Sequence, residues 1–184
     1  MNSDNVLRIV PQEAAPGKTQ IIYGLIPSQN QDVLKTCSPI LLPGLEELAA
    51  ASMGEFEAGH IMFDILYGAK QAYVFYANKG PEIPEDQSRM DFARRIVGNP
   101  KPDFAGFAIL EPMRQAGFHV YAAYVEPEFR STNIMQVALA ALEKEAAKMG
   151  SPYLSLATRV DVAGGLERLG YKVSTANYRK KIKE

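Results

Sequence analysis

Between Tyr124 and Asn133 the chain passes within a few residues from a strand-like run to the opening of a helix, and Ser131, Thr132 and Asn133 are all side chains that cap helix starts. A strand that feeds directly into a helix leaves unpaired backbone N–H groups and the positive end of the helix dipole at the turn. Such a turn binds anions, and a pyrophosphate fits there. Arg130 stands directly before it. Other reactive side chains are few. Cys37 is the single cysteine, which excludes an intrachain disulfide and a thiolate metal cluster, and with no histidine near it in sequence it reads as a small core hydrophobe. His60, with Glu57 and Asp64 at helical spacings, superficially resembles a metal face; charged residues so spaced are ordinary on a solvated helix, and no metal is expected. The run from Arg168 holds Lys172, Arg179, Lys180, Lys181 and Lys183 against Glu184, and reads as a strand edge guarded by lysines.

The elements that must carry these residues are legible in coarse form. Ile21 to Ile26 is the first expected strand, ended by Pro27 and a polar run. Pro43 and Gly44 open a helix over GLEELAAAS, and Glu55 to Gly68 places Phe56, Phe63 and Leu66 at helical spacing. Tyr73 to Ala77 and Phe104 to Leu110 are apolar runs of strand length. Between them, Gly80 to Asp103 is rich in turn formers around the amphipathic piece SRMDFARRIV, which reads as an insertion carrying a short helix with Ser88 as its N-cap. His119 to Val125 is a strand stopped by Glu126-Pro127. In the helix that follows, Met135, Leu139, Leu142, Ala146 and Met149 form one apolar stripe down to Gly150, with Glu143, Lys144 and Lys148 opposite. Tyr153 to Ala157 is the next strand, Val162 to Leu169 a short helix ended by Gly170, and Tyr171 to Ile182 one long or two short strands. Strand, helix, strand in that order implies a parallel pair with a right-handed crossover.

Composition narrows the class. A chain of 184 residues with 47% hydrophobic and 22% charged side chains closes one sizeable core, so a single domain over 1–184 is expected. Twenty basic against 21 acidic residues leave a formal charge of −1, which supplies no field toward nucleic acid or an anionic membrane. The start MNSDNVLRIVPQ has neither the basic residues nor the apolar run of a signal peptide, so the expected location is the cytoplasm.

The run AYVEPEFRSTNIMQVALAALEKEAAKMGSPYLSL followed by LERLGYKV resembles the acetyl-CoA-binding half of the GNAT N-acetyltransferase superfamily. The resemblance covers residues 104–182; residues 19–103 would be the other half, with its insertion at about 80–103. It implies an α/β fold of the GNAT acyl-CoA N-acyltransferase type, a central mixed, twisted sheet of six to seven strands with helices on both faces. It also implies acetyl-CoA as cofactor, an amine of a small molecule or protein as acceptor, and a homodimer as an assembly to test. The family's phosphate loop reads [QR]-x-x-G-x-[GA]; this chain supplies Arg130, Ser131, Thr132, Asn133, Ile134 and Met135, so both small positions are replaced. Asn133 is the milder replacement, since Asn tolerates a left-handed backbone, whereas Met135 would crowd the approach to phosphate. The resemblance assigns the backbone of Tyr124 and Val125 to the pantetheine arm and, counting back from Leu169-Gly170-Tyr171, puts Arg159 where many members have a cofactor-contacting Asn. Leu166 stands where many have the Tyr that protonates the leaving thiolate, so the usual general acid is missing. The pattern TR-x-x-x-x-x-L-x-x-L-G-Y further resembles small GNAT-like proteins encoded by bacteriophages, for which the location would be the host cytoplasm.

Acyl transfer to an amine needs a base, because an ammonium has no lone pair. His119 lies at about the place where some family members carry a catalytic Glu, and imidazole titrates near neutrality. Glu126 and Glu128 are the alternatives. The loss of the loop glycines and of the Tyr leaves a second reading open, a non-catalytic GNAT-like protein that binds a partner protein, with or without CoA.

Overall fold

A computed structural model describes residues 20–28, 30–52, 57–113, 117–130, 132–156 and 165–172. By contact the chain divides into two compact units, residues 16–156 and residues 1–15 with 157–184. In the second unit, residues 165–168 are helical and Gly170 follows with φ 89°, the left-handed stop expected of that glycine.

The larger unit is built on a mixed sheet of five strands in chain order: β1 (Gln20–Leu25), β2 (Gln71–Asn78), β3 (Phe104–Pro112), β4 (Phe118–Val125) and β5 (Leu154–Leu156). The first four are antiparallel neighbours and β5 runs parallel to β4. Among the described residues the count is five against the six to seven expected; the strand read over Tyr171 to Ile182 lies, from residue 173 on, outside them. Both sheet faces are buried. Val74, Tyr76, Phe107, Ile109 and Tyr124 point to one, and Phe75, Ala105, Ala108, Leu110 and Val120 to the other.

The first face is covered by α1 (Gln31–Ala51), α2 (Ala58–Leu66) and α3 (Glu85–Val97), and here the sequence misleads most. The helix expected from Pro43 begins at Gln31, where the Asn30 side chain accepts from the Val33 N–H at 3.1 Å, and it runs through Pro39 and Pro43. An interior proline costs about 3 kcal/mol or more. Ser38 Oγ offsets part of this by donating at 2.9 Å to the Lys35 carbonyl that Pro39 leaves without its N–H partner. Burial of Ile40, Leu41 and Leu45, at about 1.5–3 kcal/mol for each large apolar side chain, carries the helix across both breaks. In α2 the buried pair is Ile61 and Ile65, whereas Phe63, expected on the apolar stripe, is 57% exposed and packs on Tyr67 with ring centroids 4.3 Å apart. The helix α3 starts three residues before its expected cap. Ser88 is interior, its N–H bonded to the Pro84 carbonyl at 2.9 Å, because Pro84 is extended and Glu85 and Asp86 suit the first turn. Phe92 and Ile96 enter the core, so residues 80–103 help to cover the sheet.

The other face is covered by α4 (Ile134–Lys148). Its buried residues are Ile134, Ala138, Leu139, Ala141, Leu142 and Ala146, while Met135 and Met149, read as ends of the stripe, are exposed. The stripe is shifted by one residue at its start: Ile134, not Met135, packs with Ala138, Ala141 and Leu142 in the core on this face.

Candidate active site

The geometry of β4 organises the site. Its ladder with β5 covers only Phe118 with Leu154, His119 with Ser155 and Val120 with Leu156. Beyond it, Tyr121 to Val125 has no strand partner on that side among the described residues. The ladder with β3 slips just where that edge opens. Leu110 faces Val120 and Ile109 faces Ala122, which leaves Tyr121 as the extra residue of a bulge. The direction of the remaining amides follows from one bond, Glu126 N–H to the Ala105 carbonyl at 3.0 Å. Alternation then turns Tyr124's amide and carbonyl toward β3, and those of Ala123 and Val125 toward the open edge. Gly106 makes this possible: its φ is 155°, and a Cβ there would collide with the Tyr124 carbonyl. On the far side α1 also packs closely at Gly44, where a Cβ would sit 2.7 Å from the rings of both Phe107 and Tyr124.

At the helix start, Thr132 does the capping. Its hydroxyl donates to the Phe129 carbonyl at 2.7 Å and accepts from the Ile134 N–H at 3.3 Å. Asn133 makes no capping bond and has φ −84°, so the backbone here does not take the left-handed turn that a glycine in its place would serve. The first intrahelical bond is Val137 N–H to the Asn133 carbonyl at 3.1 Å, which places the Met135 and Gln136 amides in the orphan turn that faces an anion. Ile134 is buried; Met135, 39% exposed, lines an apolar cleft with Ala123, Val125 and Ala138 between α4 and the open edge. Ser131 and Arg159 lie outside the described residues.

Arg130 turns away from the helix start. Its Nε donates to the Val125 carbonyl at 2.9 Å and its Nη2 to Glu47 Oε1 of α1 at 2.7 Å, with the guanidinium 5.5 Å from the Tyr124 ring centroid. Tyr124 in turn stacks on Phe107 at 5.4 Å, and its phenol is raised above the ordinary range by burial, then by the charges of Glu126 and Glu47. The expected phosphate ligand is thus engaged by a carboxylate 83 residues away in sequence, a partner with no local signal.

His119 occupies the opposite end of β4, roughly 15–20 Å from Val125 at about 3.3 Å per residue, so it is not brought together with Arg130. It is half-buried, with Glu111 of β3 opposite it in register and Nδ1 3.0 Å from Ser155 Oγ. Beside it on the bulge, the Tyr121 ring lies under the Lys70 ammonium at 4.4 Å, and Lys70 Nζ is 2.7 Å from Asp64 Oδ2. Burial pulls the Lys70 pKa down, but the Asp64 hydrogen bond and the charges of Glu111 and Asp64 outweigh it and the net shift is upward, keeping the amine cationic. Spacing does not reveal this Asp64–Lys70–Tyr121 group, because in sequence Asp64 falls at helical spacing from His60. His60 instead meets Glu57 at 3.7 Å on the open surface. Glu126 and Glu128 rim a separate surface cleft with Ile40, Lys101 and Phe104. No described helix is long and apolar enough to cross a membrane.

Comparison with known proteins bears on this geometry. Residues 58–171 match the family model described as Acetyltransferase (GNAT) family. No curated protein matches the chain in sequence. Among solved structures, a probable acetyltransferase superposes with a TM-score of 0.55 at 16% identity, covering 90% of this chain and 99% of that one. A ribosomal-protein-alanine N-acetyltransferase from Brucella melitensis biovar Abortus 2308 gives 0.53 at 15% identity, covering 89% and 100%. An aminoglycoside acetyltransferase from an uncultured soil metagenomic sample, in complex with sisomicin, gives 0.53 at 11% identity, covering 90% and 97%. At such identities these likenesses speak for the fold.

Proposed function

Because the chain belongs to the GNAT acetyltransferase family, we propose that it transfers the acetyl group of acetyl-CoA to an amine, with the open edge of β4 as the cofactor's seat and His119 as the base. The observation that carries this reading is the coincidence of three features on one strand: the ladder to β5 ends at Val120, the bulge follows at Tyr121, and His119 precedes it. The backbone groups of Ala123 and the Val125 N–H are the kind an amide-bearing arm pairs with, the Val125 carbonyl being taken by Arg130, and the α4 amides of Met135 and Gln136 suit its anionic end. The donors needed are backbone groups, so the lost loop glycines do not remove them. Acetyl-CoA supplies an acyl group on a good leaving thiolate; the chain's own residues supply orientation and the route for the proton. His119 takes the proton from the acceptor ammonium, which gives the nitrogen a lone pair with which to form the new C–N bond. As the C–S bond breaks, its electrons leave on the CoA thiolate, which takes up the second proton released by the nitrogen directly or through water. A backbone N–H at the open edge is worth ~3–4 kcal/mol if it meets the developing oxyanion. In this reading residues 1–184 act as one domain.

The competing reading, a protein that binds a partner without catalysis, draws on the Arg130–Glu47 pair, which occupies the charge expected to hold phosphate. One experiment separates the two. Thermal unfolding with millimolar acetyl-CoA should rise by roughly 5–10 °C if ligand is present at about 100 times its dissociation constant, and mass spectrometry of a lysate with and without the protein should find added acetyl groups. A shift without acetylated product supports the binding protein; no shift removes the cofactor assignment.

A further inference from the structure

The parallel register that pairs His119 with Ser155 brings Nδ1 within 3.0 Å of Oγ. The same Oγ lies 3.4 Å from the Phe118 carbonyl and 3.5 Å from Met113 Sδ. A hydroxyl has one proton and two lone pairs, and a carbonyl or thioether can only accept. With its proton directed at either of those acceptors, Ser155 turns a lone pair toward the ring, and Nδ1 must then be the donor. That choice matters chemically. A neutral imidazole protonated at Nδ1 has its free lone pair at Nε2; the reverse arrangement puts the proton on Nε2 and leaves the other nitrogen tied to Ser155. An imidazolium donates from both nitrogens, so a Ser155 that accepts from Nδ1 serves the ring before and after it takes up a proton, with nothing to rearrange. The charged groups nearby are Glu111, opposite His119 on β3, and the Lys70–Asp64 pair over Tyr121.

We propose that Ser155 is a positioning residue, fixing His119 as the Nδ1–H tautomer so that Nε2 receives the proton of the acceptor ammonium. This rests on His119 being the base, but its first test does not need turnover. The full chain, labelled with ¹⁵N-histidine, is examined by long-range ¹H–¹⁵N NMR at about pH 8, above the usual imidazole titration. His60 and His119 are the two histidines, and H119Q assigns the signals. The wild type should show the Nδ1–H pattern for His119, S155A should move toward Nε2–H, and S155T should restore the first pattern. An Nε2–H pattern in the wild type, which no folding defect of a variant can imitate, overturns the proposal, as does an unchanged tautomer in folded S155A. With a validated acceptor, S155A should lower kcat on the order of tenfold with the KM for acetyl-CoA unchanged, and S155T should recover it. Equal kcat in S155A would overturn the positioning role. If the wild type transfers no acetyl group at all, the proposed function fails on that arm, while the spectra still decide the tautomer.

Discussion

The two flanks of the sheet are handled in opposite ways. Along β1, a strand edge that would otherwise recruit another chain is bridged by charge: Glu85 of α3 meets Lys144 and Lys148 of α4 at 3.2 and 3.6 Å, and Lys148 and the Tyr23 hydroxyl both reach Glu145. Along β4, the ladder to β5 stops at Val120, a bulge follows, and the next outward backbone groups, without a strand partner among the described residues, lie beside an apolar cleft. The first flank covers an edge with side chains; the second, among the described residues, leaves part of one open. Catalysis, on this view, depends on backbone left without a strand partner, and less on which side chains stand in the phosphate loop.

The sharpest way to break that comparison is at His119. Exchange to Gln keeps size and hydrogen bonding but removes the proton acceptor, so turnover should fall by ~10²–10⁴ while acetyl-CoA affinity survives. A variant as fast as wild type on a validated acceptor would take the base away from β4. Next in size is Gly106→Ala. With φ 155° and the Tyr124 carbonyl in the path of a Cβ, the strand that presents Val125 must shift, at a cost of about 1–3 kcal/mol or more. Urea unfolding should show a lower midpoint at unchanged slope, and acetyl-CoA affinity should drop with it. Full affinity in folded Gly106→Ala would mean that the open edge is not where the cofactor lies.

These two sites differ in how far sequence reading reached them. The strand–helix–strand from His119 to Leu156 was legible because its signals are local: β-branched and aromatic residues up to Val125, a proline stop, cap residues, then helical spacing. The same logic failed at α1, where Pro39 and Pro43 argue for a break and only long-range burial of Leu41 and Leu45 overrides them. It failed again at α2, since Phe63 and the two isoleucines are all apolar, and their types alone do not say that Ile61 and Ile65 take the buried stripe while Phe63 stays exposed. The bulge at Tyr121 leaves no trace in HVYAAYV, because an extra residue is defined only against the partner strand. Nor could spacing find Glu47 for Arg130 or Ser155 for His119; both are tertiary contacts, made by a helix and a strand whose placement the periodicity does not encode.

A smaller effect is expected at Glu47. As Arg130 is shared between this carboxylate and the Val125 carbonyl, E47Q should free the guanidinium for an anion and tighten CoA binding by roughly 1.5- to 5-fold, the worth of an exposed ion pair. Arg130→Ala should weaken binding while unfolding stays cooperative, and the double variant E47Q/R130A should show none of the gain. Weaker binding in E47Q alone would recast Glu47 as the group that aims Arg130 at the cofactor. Isothermal titration with CoA at low and high salt reads all three.

The smallest effect belongs to the sealed flank and serves as its control. Glu85 is held at about 2, from an ordinary 4.5, by the hydrogen bond from Lys144, then that from Arg89, then the charges of Lys144 and Lys148. An acid whose folded pKa is depressed adds stability above its unfolded value and loses it as pH falls toward the folded one. The contribution of Glu85 is therefore complete above about pH 4.5 and fades between there and about pH 2. Both the carboxylate and its partners are solvated, so the contribution is small and salt should screen it. At low salt and neutral pH, E85Q should melt slightly below wild type; the two curves should converge as pH approaches 2, and added salt should close the gap at any pH. Turnover should not change, because the ion pairs bridge α3 and α4 over β1 and touch nothing on β4. A pH-independent difference would mean that Glu85 acts by packing and not by charge. A change in turnover would show that the edge strands are coupled through the sheet, and the division between a sealed flank and a working one would have to be given up.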